Sequence, residues 1–265
     1  MAQTKIVRSL SEFVEAIKAR PFLLDLGTSR VAPWYLGQAD PGGSLLPGLY
    51  KSGLNPELER EILRDFRMQA AEFIPPKGVT DWEWLVNAHQ NGIPTRIIEW
   101  VANPLAALFQ AVESMSTAAH GKVWIFNPWL FNELTAGPGY VPMIDDLEHG
   151  KKYLVELTNP ASFTLPLAEL PMAFRPFRNN RPYNTQGVYY TIHGYKADPI
   201  DTYKPYLTKT SAFLAFMLID ADRKKSILKE LHEVNITRAS IFPGLTSLAR
   251  TLTYRYSKDY MMTEI

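Results

Sequence analysis

The sequence predicts an α+β fold, with helices flanking a small mixed or antiparallel β-sheet. Three observations carry the prediction. The chain has 265 residues, 46% of them hydrophobic and 12% aromatic, which is apolar material for a sizeable core in one or two domains. Segments with helical periodicity cluster toward both ends. Aromatic and β-branched segments of strand character gather in the second half, and this segregation of helices from strands separates α+β from alternating α/β folds.

The elements follow in order. Residues 10–19, behind Ser9, begin like a helix: Ser9 and Ser11 are N-cap candidates, and Phe13, Val14 and Ile17 recur at helical spacing. VAPWYLGQAD (31–40) reads as a short aromatic strand running into a polar turn, and PGGSLLPGLYKS (41–52) as a loop rich in Pro and Gly. From Pro56 to Phe73 a helix is expected, with Leu58, Ile62, Phe66 and Ala70 on its inner stripe and Pro75 and Pro76 ending it. A second helix runs from about Asp81 to Gln90, with Trp82, Leu85, Val86 and His89 near one face, and Asn91-Gly92 closes it. IPTRIIEW (93–100) reads as a turn into a helix that starts at Asn103 with Pro104 at its first position. KVWIFNP (122–128), GVYYTIHG (187–194) and FLAFMLID (213–220) are strands. Residues 221–235 form an amphipathic helix with Ile227, Leu228, Leu231 and Val234 inward, and ITRASIFPGLTSLARTL supplies a closing short strand and helix. Residues 129–180 hold many prolines and weak periodicity. The expected organisation is a single domain with its core in about 10–128 and 181–255, and an insertion or loop-rich segment over 129–180.

Composition narrows the function. Lys plus Arg total 28 and Asp plus Glu 27, a formal net charge of +1 that argues against a polybasic nucleic-acid binder. There are no cysteines, which excludes disulfides, Cys-type zinc sites and thiol catalysis. The beginning of the chain lacks an apolar signal core and no segment reaches the roughly 20 apolar residues that cross a bilayer, so a cytoplasmic protein without membrane contact is expected. No P-loop, GxGxxG, HExxH, GxSxG or EF-hand loop is present. His89, His120, His149, His193 and His232 lack metal-ligand spacing, and no metal site is expected.

The informative stretch is AHQNGIPTRIIEWVANPLAALFQAVE (88–113), where His89, Gln90, Thr95, Arg96, Glu99 and Asn103 interrupt an apolar run. Two readings stay open. In one, Arg96 pairs with Glu99 as a buried brace. In the other, these groups line a cleft: His89 a general acid or base, Arg96 an anion clamp, Thr95 or Gln90 hydrogen-bond donors. Trp82, Trp84, Trp100, Trp124 and Trp129 read as packing residues rather than a base-stacking platform. Arg175, Arg178 and Arg181, interleaved with Phe174, Phe177 and Tyr183, read either as a nucleotide or nucleic-acid contact or as a solvated loop.

The same stretch resembles the central signature of the FRG domain, a bacterial and phage domain named for an aromatic-Arg-Gly motif. The counterparts run in the family's order: Tyr35-Leu36-Gly37-Gln38, then His89 through Trp100, then Arg181 with Gln186-Gly187, and finally Ile241-Phe242-Pro243-Gly244-Leu245. Leu36 stands where the naming arginine is expected, Glu99 replaces an aspartate, and Gly244 with Thr246-Ser247 replaces an acidic closing motif. The resemblance implies a phage-defence or toxin-type effector that acts on a nucleotide ligand by ADP-ribosyltransferase-like chemistry. It would use NAD as cofactor and a protein or nucleic acid as target. In that picture His89, Glu99 and Gln186 are catalytic, while Tyr35, Gly37, Gln38, Thr95, Arg96 and Arg181 hold the nucleotide and the loop 41–52 covers it. Two alternatives accompany it. Leu36 favours a non-catalytic ligand- or protein-binding module that has lost the arginine. The acidic turn of Asp145, Asp146, Glu148 and His149 favours a metal-dependent nuclease, or else is simply a solvated loop.

Overall fold

The computed structural model describes residues 6–19, 32–74, 78–114, 119–137, 140–143, 150, 152–153, 157, 168–175, 187–203 and 213–261. Seven strands form one mixed sheet in the order β1-β7-β4-β2-β3-β6-β5. They are β1 (Ile6–Val7), β2 (Trp34–Gln38), β3 (Ile97–Val101), β4 (Gly121–Phe126), β5 (Met172–Phe174), β6 (Val188–Ile192) and β7 (Leu214–Ile219). Only β1 and β7 pair in parallel; the other ladders are antiparallel. The α+β expectation is therefore met, although the strands are not confined to the second half. β2 and β3 lie at the middle of the sheet, and residues 97–100 are strand rather than turn.

Because side chains alternate across a strand, the register assigns each residue a face. The first face carries Tyr35, Gly37, Ile97, Val101, Val123, Tyr190 and Met217. It is covered by α1 (Leu10–Lys18), α3 (Pro56–Gln69), α4 (Asp81–Gln90), α5 (Pro104–Val112) and α7 (Lys224–Glu233). The second face carries Trp34, Ile98, Trp100, Trp124 and Phe126 and packs against Phe131 of α6 (Pro128–Thr135), Leu45, Ile200 and Phe213.

Local chemistry sets the helix ends. Ser9 caps α1 through a bond from the Glu12 amide, and Thr80 with Glu83 forms a capping box on α4. Asn91 ends α4 and Gly92 follows at φ +87°, the left-handed conformation that glycine tolerates. Asn103 caps α5, with Pro104 at its first position. Residues 106–109, 111 and 112 of α5 are all buried, so this helix forms the middle of the core.

Several expectations are corrected. The 41–52 segment contains a one-turn helix, α2 (Gly48–Lys51), and 129–180 contains most of α6 and all of β5. The inner face of α3 is Glu59, Arg60 and Leu63, while Leu58 is exposed, because Glu59 has a buried partner described below. Val234 is exposed, since α7 ends at Glu233. The closing segment holds no strand: it forms α8 (Arg238–Ile241), α9 (Leu245–Arg255) and, beyond it, α10 (Lys258–Met261).

Candidate functional site

The capped end of α4 presents His89 and Gln90 toward β3 and β6. His89 Nδ1 shares a hydrogen bond of 2.9 Å with Thr95 Oγ1, and its ring stands edge-on to Tyr190 at 6.2 Å. Burial pushes the imidazole down to about 4, so it is neutral at physiological pH. The Gln90 side-chain amide donates to the Tyr190 hydroxyl at 3.2 Å.

Arg96 is a brace, but its partner is Glu59. The Arg96 backbone N–H donates to Glu59 Oε1 at 2.7 Å and Nε to Oε2 at 2.5 Å. The two terminal nitrogens donate to the backbone oxygens of His193 (3.2 Å) and Tyr153 (2.8 Å). Arg96 is 1% exposed and Glu59 0%. The expected Arg96–Glu99 pair does not form, because in extended backbone residues three apart point to opposite sides. With each of its side-chain nitrogens engaged in the core and only 1% of its surface exposed, Arg96 is not presented to an anion from solvent.

Glu99 lies directly opposite Tyr190 in the β3–β6 ladder, on the face that also holds Ile97 and Val101. It is half-buried, and no hydrogen-bond or ion-pair partner holds its carboxyl among the described residues. Desolvation raises that carboxyl to about 7. The nearby Glu99 charge also helps to raise the Tyr190 phenol, behind the larger effect of its own burial. Glu99, Tyr190, Gln90, His89 and Thr95 therefore form one polar cluster between the end of α4 and the middle of the sheet. A half-buried carboxyl poised at neutrality and without a fixed partner can accept a proton or a hydroxyl hydrogen bond.

The β2 residues do not converge on this cluster; the sheet divides them. Tyr35 is 5% exposed on the α5 face, and burial pushes its phenol up to about 12. Gly37 seats α5, because a Cβ there would collide with the Ala107 carbonyl oxygen. Gln38 and Leu36 lie on the other face, where Gln38 Oε1 accepts from Trp124 Nε1–H at 2.8 Å and Leu36 sits opposite Trp124. Tyr35, Gly37 and Gln38 thus serve packing; Tyr35 and Gly37 share the sheet face of Glu99, whereas Leu36 and Gln38 lie on the opposite face, away from it. Trp82, Trp84, Trp100 and Trp124 are buried, as read.

Gln186, Arg181, Arg178, Phe177, Tyr183 and the acidic turn at 145–149 lie outside the described residues. Gly187, at φ +59°, begins the turn into β6, and its carbonyl accepts from the Ala102 amide at 2.8 Å. Among the described residues no group of three or more His, Asp or Glu is placed to hold a metal ion, and no helix is long and apolar enough to cross a membrane. Sequence reasoning missed Glu59 and Tyr190. Glu59 precedes Leu63 by one helical turn, a weak signal inside the charged run ELERE; Tyr190 carries no signal beyond strand character.

These features define a class: an α+β domain whose helix α5 is seated on a strand glycine and whose His-to-Trp segment locks α4, a buried Arg and the central strands together. The family model of the FRG domain matches residues 32–120, from just before β2 to the residue preceding β4. Over these residues the chain is similar to the FRG domain. The match includes Tyr35–Gln38, His89–Trp100 and α5. No curated protein and no solved structure matches the chain.

Proposed function

We propose that the chain is an effector enzyme that acts on a nucleotide-containing ligand by ADP-ribosyltransferase-like chemistry, of the kind used in phage defence or toxin systems, and works in the cytoplasm as one FRG-type unit. The observation that carries this reading is Glu99: a half-buried carboxyl near the middle of the sheet, without a hydrogen-bond or ion-pair partner among the described residues and raised to about 7 by burial. An isolated ionisable group held out of water is costly, and such groups concentrate at functional sites. In the reaction, the bond between the ribose C1′ and nicotinamide of NAD breaks and nicotinamide leaves with the electron pair. A protein or nucleic-acid acceptor bonds to C1′ and gives up a proton. An ionised Glu99 stabilises the positive charge that develops on the sugar and takes that proton. Gln90 and the Tyr190 hydroxyl supply polar groups to the ribose, and neutral His89 fixes the end of α4 through Thr95. The reading keeps Arg181 for the diphosphate and Gln186 for the ribose, as the resemblance implies; both lie outside the described residues.

The test is NAD consumption by the full chain across pH, compared with Glu99→Gln. Turnover is expected to fall below about pH 7 as the carboxyl protonates, and to drop about 100-fold or more in the variant, whose melting temperature at neutral pH should be no lower than that of the wild type. Equal turnover in both proteins would overturn the assignment. A second reading, a ligand-binding module without turnover, is favoured by Leu36, which has no donors, and by the commitment of Arg96 to Glu59. It predicts saturable nucleotide binding by calorimetry with no loss of NAD. The nuclease alternative rests on Asp145, Asp146 and Glu148 and predicts DNA or RNA cleavage abolished by EDTA.

A further inference from the structure

A groove of about 350 Å³ lies at the C-terminal end of α6, between Leu134 and Thr135 of that helix, Leu170 just before β5, and the segment 196–203 that follows β6. That volume is within the range of small-molecule sites. Leu134, Leu170 and the Tyr203 ring are half-buried and give the groove apolar walls. Leu134 and Tyr203 also pack against the second face of the sheet, whereas Glu99 lies on the first. A second groove of about 260 Å³ adjoins it, shares Thr135 and Leu170, and carries Lys152 and Glu169.

The polar lining of the larger groove is rich in acceptors and short of donors. Thr135 Oγ1 donates to the Phe131 carbonyl at 2.9 Å and Thr202 Oγ1 to the Pro199 carbonyl at 2.7 Å, so both hydroxyls offer a ligand only lone pairs. The Asp198 carboxylate is exposed and has no hydrogen-bond or ion-pair partner among the described residues, while its backbone carbonyl accepts from His193 Nε2 at 3.1 Å. The Tyr203 hydroxyl is enclosed and also lacks a hydrogen-bond partner among the described residues. Burial, and behind it the Asp198 charge, pushes that phenol up to about 12, so it stays neutral. Lys196 is already bonded to Glu169 Oε2 at 2.9 Å and feels Asp198 only as a smaller, long-range effect. The Asp198 charge is therefore in surplus on this side, and Lys152 stands in the adjoining groove. Glu133 and Asp201, next in sequence to Leu134 and Thr202, add acid rather than base. The C-terminal end of α6 contributes carbonyls and the negative end of its dipole.

We propose that this groove binds a small organic cation, an ammonium or guanidinium head on a short hydrocarbon stem. The head meets Asp198 and the lone pairs of Thr135, Thr202 and Tyr203, and the stem runs along Leu134, Leu170 and the Tyr203 ring. The site does not depend on the nucleotide reading. Such a head and stem can come from a free amine or from an arginine side chain, and two probes separate these sources: agmatine, and the capped peptide acetyl-Gly-Arg-Gly-amide. Calorimetric titration of the full chain at low salt is expected to show saturable one-to-one binding of at least one of them. Methylguanidinium, which lacks the stem, should bind about tenfold or more weaker. Asp198→Asn should weaken binding about fivefold or more. Lys196→Met frees the Glu169 carboxylate and should strengthen binding about twofold or more. Melting temperature should not change in either variant, since both positions are exposed. No saturable binding of either probe, equal binding of methylguanidinium, or binding that survives Asp198→Asn would each overturn the proposal. So would weaker binding in Lys196→Met, or saturable binding of glutarate in place of the cations, because Lys196 would then be the anchor of an anion.

Discussion

Arg96 and Glu99 stand three positions apart and have opposite fates. Arg96 is fully buried with a matched carboxylate and two carbonyl acceptors, so removing it strands Glu59 as a buried unpaired charge. Arg96→Ala is expected to cost about 3–5 kcal/mol in urea denaturation, and Arg96→Lys should recover only part of it because an ammonium lacks the planar fork. Glu99 behaves oppositely. Its folded carboxyl titrates at about 7 against an ordinary value of 4.5, so the native state binds more protons between these values. Its contribution to stability is therefore present below pH 4.5 and lost as pH rises through about 7. His89 and His193, lowered from 6.5 to about 4, run the other way: their contribution is present above pH 6.5 and lost as pH falls through about 4. Comparison with Glu99→Gln isolates the carboxyl. The stability of the variant relative to wild type should climb from pH 4.5 to about 7 and then level off. A flat difference in denaturation midpoints over that range would mean that Glu99 is solvated.

At the level of elements, α5 and β2 make a contact sensitive to a single atom. Gly37 meets the Ala107 carbonyl oxygen and the Ala111 amide, backbone atoms that cannot rotate away, so Gly37→Ala must push the helix off the sheet. The expected loss is about 2–3 kcal/mol, read as a lower urea midpoint with an unchanged slope. Equal stability would show that α5 shifts freely. The glycine of the aromatic-Arg-Gly motif is thus explained by packing, without reference to a ligand. Helices α1, α4 and α5 were legible in the sequence because capping and periodicity are local. So were the aromatic strands β4, β6 and β7. IIEWV was not, because an apolar run interrupted by one Glu has neither strand nor helix period; its partners on β2 and β6 decide the matter. Of the candidate site, His89, Gln90, Thr95 and Glu99 were legible as misplaced polar residues. Which of them bond to each other was not, since that depends on a strand far along the sequence, where Tyr190 lies opposite Glu99.

On the scale of the whole molecule, the sheet acts as a partition. Leu36 and Gln38 lie on the α6 side and Glu99 on the α5 side, so restoring the naming arginine cannot bring its guanidinium to Glu99. Leu36→Arg is expected to leave NAD consumption unchanged within about twofold, with a stability loss near 1 kcal/mol as the side chain extends toward solvent. A large gain in turnover would place the chemistry on the other face. The strand order has a separate consequence, for synthesis. Among the described residues β1 pairs with β7, and β7 also completes the ladder of β4. At typical translation speeds roughly 5–20 s separate the appearance of β4 from that of β7. For that interval one long edge of the half-made sheet, including Val123 and Ile125, is open on the nascent chain. The polypeptide therefore leaves the ribosome with a sticky edge that only its own late segment can close. Its yield in a cell should depend on holdase chaperones more than the finished fold would suggest.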